Sequence, residues 1–172
     1  HIRDKMTEGS GDYMKLEAMN RLVTEMIRDV QRIAAELRPP ILDDLGLVSA
    51  MEWYIQEFGK RTGIACRHRL GPLQFPDKQR NLTMYRILQE ALTNVSRHAS
   101  ASTVSVDLSV MGNIAVMTVR DNGIGFDESK IRSFQSLGFL GIRERLKQTG
   151  GHLDIESAPG KGTRLSVSIP VD

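Results

Sequence analysis

Apolar residues alternate without a break at Val104, Val106, Leu108 and Val110, and resume at Ile114, Val116 and Val119 beyond Met111-Gly112-Asn113. That pattern commits the middle of the chain to a β-hairpin with one buried face. A hairpin of this kind needs cover from another layer, because two strands alone cannot keep an apolar face from water. The flanking segments supply it at helical spacing. Residues 77–98 read as a helix that packs Leu82, Tyr85, Leu88, Leu92, Val95 and Ala99, and a later helix starts near Phe139 and stops at Gly150-Gly151. Asp43 and Asp44 can cap a helix over 45–60 that buries Val48, Met51, Ile55 and Phe58, with Gly63 ending the segment. Ile64, Cys66 and Leu70 then alternate as a strand before Gly71-Pro72, and 152–157 pairs with 163–169 around Ala158-Pro159-Gly160-Lys161-Gly162. The polar stretch 127–136 has no period and reads as a loop. Together these segments predict an α/β (α+β) two-layer sandwich, a mixed sheet of about five strands covered on one face by three helices.

A different period governs the start. Leu16, Met19, Val23, Met26, Val30, Ile33 and Leu37 are spaced by three and four in strict alternation, a heptad seam sustained for three heptads and stopped by Pro39 and Pro40. A period of 3.5 rather than 3.6 predicts a long bundle or coiled-coil helix, with a helix folded onto its own domain as the alternative. The expected division is therefore 1–42 for the bundle helix and its junction, and 43–172 for the sandwich.

Composition excludes several function classes. The net charge of +2, from 23 basic and 21 acidic residues, is too balanced for a surface built on nucleic-acid phosphates. The single cysteine, Cys66, excludes an intramolecular disulfide and a cysteine-based metal cluster. No apolar run reaches the ~18 residues of a membrane span. The expected setting is cytoplasmic, with no membrane contact from these residues, and membrane anchoring of a parent protein is left open.

Three local patterns can carry chemistry. Glu90, Asn94 and His98 are spaced by four and so share one helix face, presenting a carboxylate, an amide and an imidazole, although a solvated face would show the same spacing. Asp121-Asn122-Gly123-Ile124-Gly125 follows a strand, and its glycines permit backbone to approach a flat or charged group, with an ordinary hairpin turn as the alternative. Gly138 and Gly141 open the last helix, whose free N–H groups suit a phosphate or mark no more than a tight loop-to-helix junction.

In this order the pieces resemble the GHKL (Bergerat-fold) ATPases, which include histidine kinases, Hsp90 chaperones, type II topoisomerases and mismatch-repair ATPases. Gln89-Glu90-Ala91-Leu92-Thr93-Asn94-Val95-Ser96-Arg97-His98-Ala99 is similar to the N box of sensor histidine kinases. Glu36-Leu37-Arg38-Pro39-Pro40-Ile41-Leu42-Asp43-Asp44-Leu45-Gly46-Leu47, Gly141-Ile142-Arg143-Glu144-Arg145 and Ser157-Ala158-Pro159-Gly160-Lys161-Gly162-Thr163 resemble the subfamily of nitrate-sensor-like kinases. The resemblance implies ATP and Mg²⁺ as ligands. It implies that Asp121 accepts from the adenine amine and that Asn94 ligates Mg²⁺. Glu90 would orient a metal-bound water or assist proton transfer, and His98 would approach the phosphates. Gly123, Gly125, Gly138, Leu140, Gly141 and Thr163 would complete the nucleotide site.

The same resemblance implies a γ-phosphoryl transfer to a histidine and then to the aspartate of a response regulator with helix-turn-helix output, with a homodimer in the full-length protein. A non-catalytic ATP-binding or pseudokinase module is the competing expectation. Two positions depart from the pattern. Ser136-Leu137-Gly138 stands where a Gly-x-Gly is usual, and none of the four histidines, followed by Ile2, Arg69, Ala99 and Leu153, is followed by the acidic residue expected after a phosphoacceptor. The expectation is a piece that keeps the second helix of a dimerisation hairpin while the acceptor histidine lies outside it.

Overall fold

The structure, a computed structural model, describes Met19, Val23, residues 40–127 and residues 137–172. The chain divides into two compact units, His1–Pro40 and Ile41–Asp172. In the first, Met19 and Val23 are helical. The rest of the expected 16–37 helix lies outside the described residues, as does the expected loop after Asp127.

Helix α1 (Pro40–Thr62), all but its first residue in the second unit, starts five residues ahead of the expected 45. Proline at a first helical position loses no intrahelical bond, because the first N–H groups have no partner in any case. Asp43 thus lies in the first turn rather than before it, and Gly46, at φ 79° and ψ 176°, kinks the helix. Strand β1 (Ala65–Leu70) leads to α2 (Lys78–Asn94), capped by Asp77, whose carboxylate accepts from the Gln79 N–H at 2.8 Å. A single wide π-helical turn, Val95–Ala99, extends α2 and ends at Ser100, which adopts φ 49°. The antiparallel pair β2 (Thr103–Met111) and β3 (Ile114–Asp121) follows, then α3 (Leu137–Lys147), β4 (His152–Ser157) and β5 (Thr163–Pro170).

The sheet runs β1-β2-β3-β5-β4, with β1 parallel to β2 and every other neighbour antiparallel. One face carries Val104, Val106 and Leu108 with Met117, Val119, Leu165 and Val167, all buried in one core with Met51, Ile55 and Phe58 of α1, Leu88 and Leu92 of α2, and Ile142 and Leu146 of α3. Residues of opposite parity, Ser105, Asp107, Thr118, Arg120, Arg164 and Ser166, form the polar outer face.

Two expectations change here. The inward residues of β3 are Ala115, Met117 and Val119, not Ile114 and Val116. Met111 pairs with Ile114 across the tight turn, and that register turns Ile114 outward, where it is 45% exposed. Helix α2 also buries more than one stripe. Asn81, Thr83, Met84, Ile87 and Ala91 are enclosed along with Tyr85, Leu88 and Leu92, whereas Leu82 is only half-buried. Tyr85 meets Tyr54 of α1 edge-on at 5.8 Å between ring centroids, and burial, helped by Tyr54, pushes its hydroxyl up to about 12. Burial likewise raises the Cys66 thiol, which suits a half-buried core thiol.

Asn81 holds the approach to α2. Its side chain accepts from the Phe75 N–H at 3.3 Å and donates to the carbonyls of Phe75 at 2.9 Å and Asp77 at 3.3 Å. Asn81→Ala leaves buried backbone groups without partners, and the expected loss is about 1–3 kcal/mol of stability. A chemical-denaturation midpoint unchanged from the parent would show that this clamp contributes nothing.

Candidate functional site

The cleft lies where α2, the π turn, β3 and the turn after it, α3 and the start of β5 meet, and its volume is about 740 Å³. From α2 come Glu90 and Asn94, both half-buried, and from the π turn comes the exposed His98. The wide turn follows Asn94 directly, as such turns often do at functional sites, so the helix face that presents these side chains is not a regular α-helix to its end.

Asp121 ends β3 on the inner face and is only 6% exposed. One carboxylate oxygen, Oδ1, accepts from the Gly123 N–H at 2.8 Å. The turn after it is tied down on two sides. Asn122 Oδ1 accepts from the N–H groups of Ser102 at 3.0 Å and Thr103 at 2.9 Å, and the Ile124 N–H donates to the Ala99 carbonyl at 2.8 Å. Across from these, the Phe126 N–H donates to Ser157 Oγ at 3.0 Å, and that hydroxyl donates to the Gly162 carbonyl at 3.0 Å. Ser157 Oγ also lies 3.1 Å from Thr163 Oγ1. The expected alternative, an Asn-Gly hairpin turn, is not formed: Gly123 has no positive φ, whereas Gly125 has φ 58°. A Cβ on Gly125 would collide with the Ala158 carbonyl, and one on Gly162 with the Asp121 carbonyl. These glycines let the two turns interlock behind the carboxylate.

Helix α3 closes the other wall. A Cβ on Gly138 would strike Glu90 Oε1, so the first turn of α3 lies directly against Glu90 and Asn94. Gly141, Gly125 and Thr163 also line the cleft. Two expected residues sit differently. Gly123 packs against the Ala99 backbone and is not on the cleft wall, and Leu140 is 45% exposed and not part of the lining. The structure adds residues that spacing did not single out, namely Arg97, Arg145, Phe126 and Phe139, over an apolar lining that includes Ala91, Val95, Val119 and Leu165. The Phe126 and Phe139 rings lie 6.3 Å apart at 40°. Arg97 and Arg145 fall inside the motifs quoted above, and their position in those motifs is the signal that could have found them.

Among the described residues no group of three or more His, Cys, Asp or Glu side chains could hold a metal. Glu90 and Asn94 nevertheless stand one helical turn apart at the α3 wall and carry a carboxylate and an amide, each with a hard oxygen to offer. That set fits a magnesium ion, which takes one or two protein ligands and fills its remaining positions with water and phosphate oxygens.

Comparison with known proteins places this geometry. Residues 79–172, more than half of the chain, match the family described as histidine kinase-, DNA gyrase B-, and HSP90-like ATPase. The chain belongs to that family. The chain is 33% identical over 159 residues to the signal transduction histidine-protein kinase/phosphatase DegS of Brevibacillus brevis, covering 91% of the chain and 41% of the relative. It is 32% identical to the oxygen sensor histidine kinase NreB of Staphylococcus carnosus, covering 87% and 44%, and 39% identical to the sensor histidine kinase MctS of Rhizobium johnstonii, covering 84% and 32%. The chain thus spans less than half the length of these relatives. In fold it is similar to the histidine kinase domain of a blue-light activated histidine kinase of Erythrobacter litoralis, with a TM-score of 0.65 at 22% identity over 73% of this chain and 61% of that one. No helix among the described residues is long and apolar enough to cross a membrane.

Proposed function

We propose that this ATPase domain is the catalytic region of a two-component sensor histidine kinase, binding ATP with Mg²⁺ and delivering the γ-phosphoryl to a histidine outside this chain, from which it passes to a response-regulator aspartate. The observation that carries the reading is that one cleft is lined both by the buried Asp121 carboxylate at the end of β3 and by Glu90 and Asn94, which lie against the first turn of α3. Such a site separates base recognition from phosphate handling. Asp121 accepts from the adenine amine. Glu90 and Asn94 hold the metal, Glu90 through water, and His98 approaches the phosphates from the π turn. Gly138 and Gly141 bring α3 backbone close to the phosphate tail, and Thr163 supports the Asp121 turn. Magnesium supplies charge neutralisation of the phosphate oxygens. Because phosphoryl transfer has a loose transition state, positioning and charge stabilisation do most of the work.

An acceptor outside the chain agrees with where the described histidines lie. His98 belongs to the cleft wall, His68 sits 3.2 Å from Glu52, and His152 is exposed on β4. Residues 1–42 are assigned to the second helix of a dimerisation hairpin and its junction, the working state of the full protein to a homodimer, its partner to a regulator with helix-turn-helix output, and its location to the cytoplasm.

The test uses Asn94→Ala. Its Mg²⁺-dependent gain in ATP affinity should disappear while affinity in excess EDTA changes little, because the partner assigned to Asn94 is the cation. Acid-labile label from γ-labelled ATP should appear on an acceptor-histidine helical hairpin supplied in trans, and Asn94→Ala should abolish it. An equal loss of affinity with and without metal would give Asn94 a packing role, and acid-labile label on this chain alone would overturn the assignment of the acceptor to another polypeptide.

A further inference from the structure

Of the two arginines in the cleft wall, Arg145 is the one that helix spacing alone does not explain. It lies in the last turn of α3, where a basic side chain ordinarily faces water and complements the helix dipole. Here it lines the cleft, and its Nη1 lies 3.2 Å from where a Cβ on Gly141 would stand. Side chains on a helix lean toward its N-terminus, so residue 145 reaches back over residue 141, and the missing side chain at Gly141 leaves room for the guanidinium on that surface. The neighbouring carboxylate on α3, Glu144, is held by Lys147 at 2.6 Å, and among the described residues Arg145 has no ion-pair partner.

Among the described residues, the titratable groups that face the cleft from the other elements are Glu90 of α2, Arg97 and His98 of the π turn, and Asp121 of β3. With Arg145, the described lining holds two carboxylates and two guanidinium groups. The two carboxylates already have tasks, one at the metal and one at the base. Nucleotide with bound magnesium therefore brings net negative charge to a wall whose unassigned groups are cationic.

The geometry points to Arg145 as the side chain on α3 that contacts the terminal phosphate and lets the cleft distinguish ATP from ADP. This inference rests on the nucleotide reading above. Gly138 packs against Glu90 and Asn94, so on that reading the α3 wall is the one that meets the phosphates and the metal, and the guanidinium over Gly141 is on that wall. An arginine suits the task because its planar fork can donate two hydrogen bonds to one phosphate, which a lysine cannot do in the same geometry.

The test is titration of the whole chain with MgATP, MgADP and adenosine. Arg145→Gln should lower ATP affinity about tenfold, ADP affinity about threefold or less, and adenosine affinity not at all, with no change in melting temperature. Arg145→Lys should restore part of the ATP preference. Gly141→Ala, which asks the guanidinium to shift by a few tenths of an ångström, should move the ATP-to-ADP ratio in the same direction by a smaller factor. Equal losses for ATP and ADP, or unchanged ATP affinity in a folded Arg145→Gln protein, would overturn the assignment. A parent chain that binds none of the three ligands would instead remove the nucleotide reading itself.

Discussion

Asp121→Asn is expected to weaken ATP binding roughly tenfold or more, about 1.5–3 kcal/mol, while the domain stays folded. The asparagine carbonyl can still accept from the Gly123 N–H, so the turn keeps its 2.8 Å bond. On the proposed reading the substitution removes the acceptor for the adenine amine, and it can place an amide N–H where that amine would donate. Loss of a charge-assisted hydrogen bond in a site only 6% exposed leaves little water to make good the deficit. Asp121→Ala should lose a similar amount of affinity and also destabilise the fold by about 1 kcal/mol, because the Gly123 N–H is left without its acceptor. Calorimetric titration with ATP, beside a thermal melt, separates the two effects. Unchanged affinity in a folded Asp121→Asn protein would remove the adenine role.

The second large effect lies behind the carboxylate. Gly125→Ala places a methyl group against the Ala158 and Gly162 carbonyls at a residue with φ 58°. Left-handed strain of about 1–2 kcal/mol combines with an overpacking cost of about 1–3 kcal/mol. Gly160 provides the control. It has φ 74° but nothing within 4 Å of the added carbon, so Gly160→Ala should cost only the strain, about 1 kcal/mol. At roughly 2–4 °C per kcal/mol for a chain of this size, Gly125→Ala should melt several degrees below Gly160→Ala. It should also bind ATP more weakly, since the displaced turn carries Asp121. Equal melting temperatures for the two variants would show that the turns do not interlock as described.

Much of this was legible before any tertiary structure. Alternation located the hairpins because residue pairs two apart share a face in any strand, whatever its surroundings. The helix read from residue 77 begins at Lys78, and Gly63 and Gly150, read as the ends of their segments, have the positive φ common where helices end. The Asp-x-Gly-x-Gly turn was also readable as a functional element, because a carboxylate followed by two glycines limits what the backbone can approach. Long-range partners were not readable. Nothing in the local pattern of Asn122-Gly123 distinguishes a hairpin turn from the observed one, since the choice is made by Ser102, Thr103 and Ala99 reaching in from another element.

What the sequence by itself determined was therefore periodicity, chain punctuation and the chemical types brought to the cleft: a carboxylate on the β3 turn, a Glu/Asn/His face on a helix, and glycines that open α3. Tertiary structure decided phase and company. The pairing of Met111 with Ile114 selected Ala115, Met117 and Val119 as the buried face of β3, and packing on several sides enclosed Met84, Ile87 and Ala91 of α2, not only the expected stripe. It turned Leu140 to solvent and left Gly123 packed on Ala99, while Arg145 came to the cleft. The physical reason is common to all of these. Local sequence sets the repeat of a helix or strand, but the rotation of that element about its axis is settled by contacts between residues far apart in the chain, where register and close packing outweigh local preference.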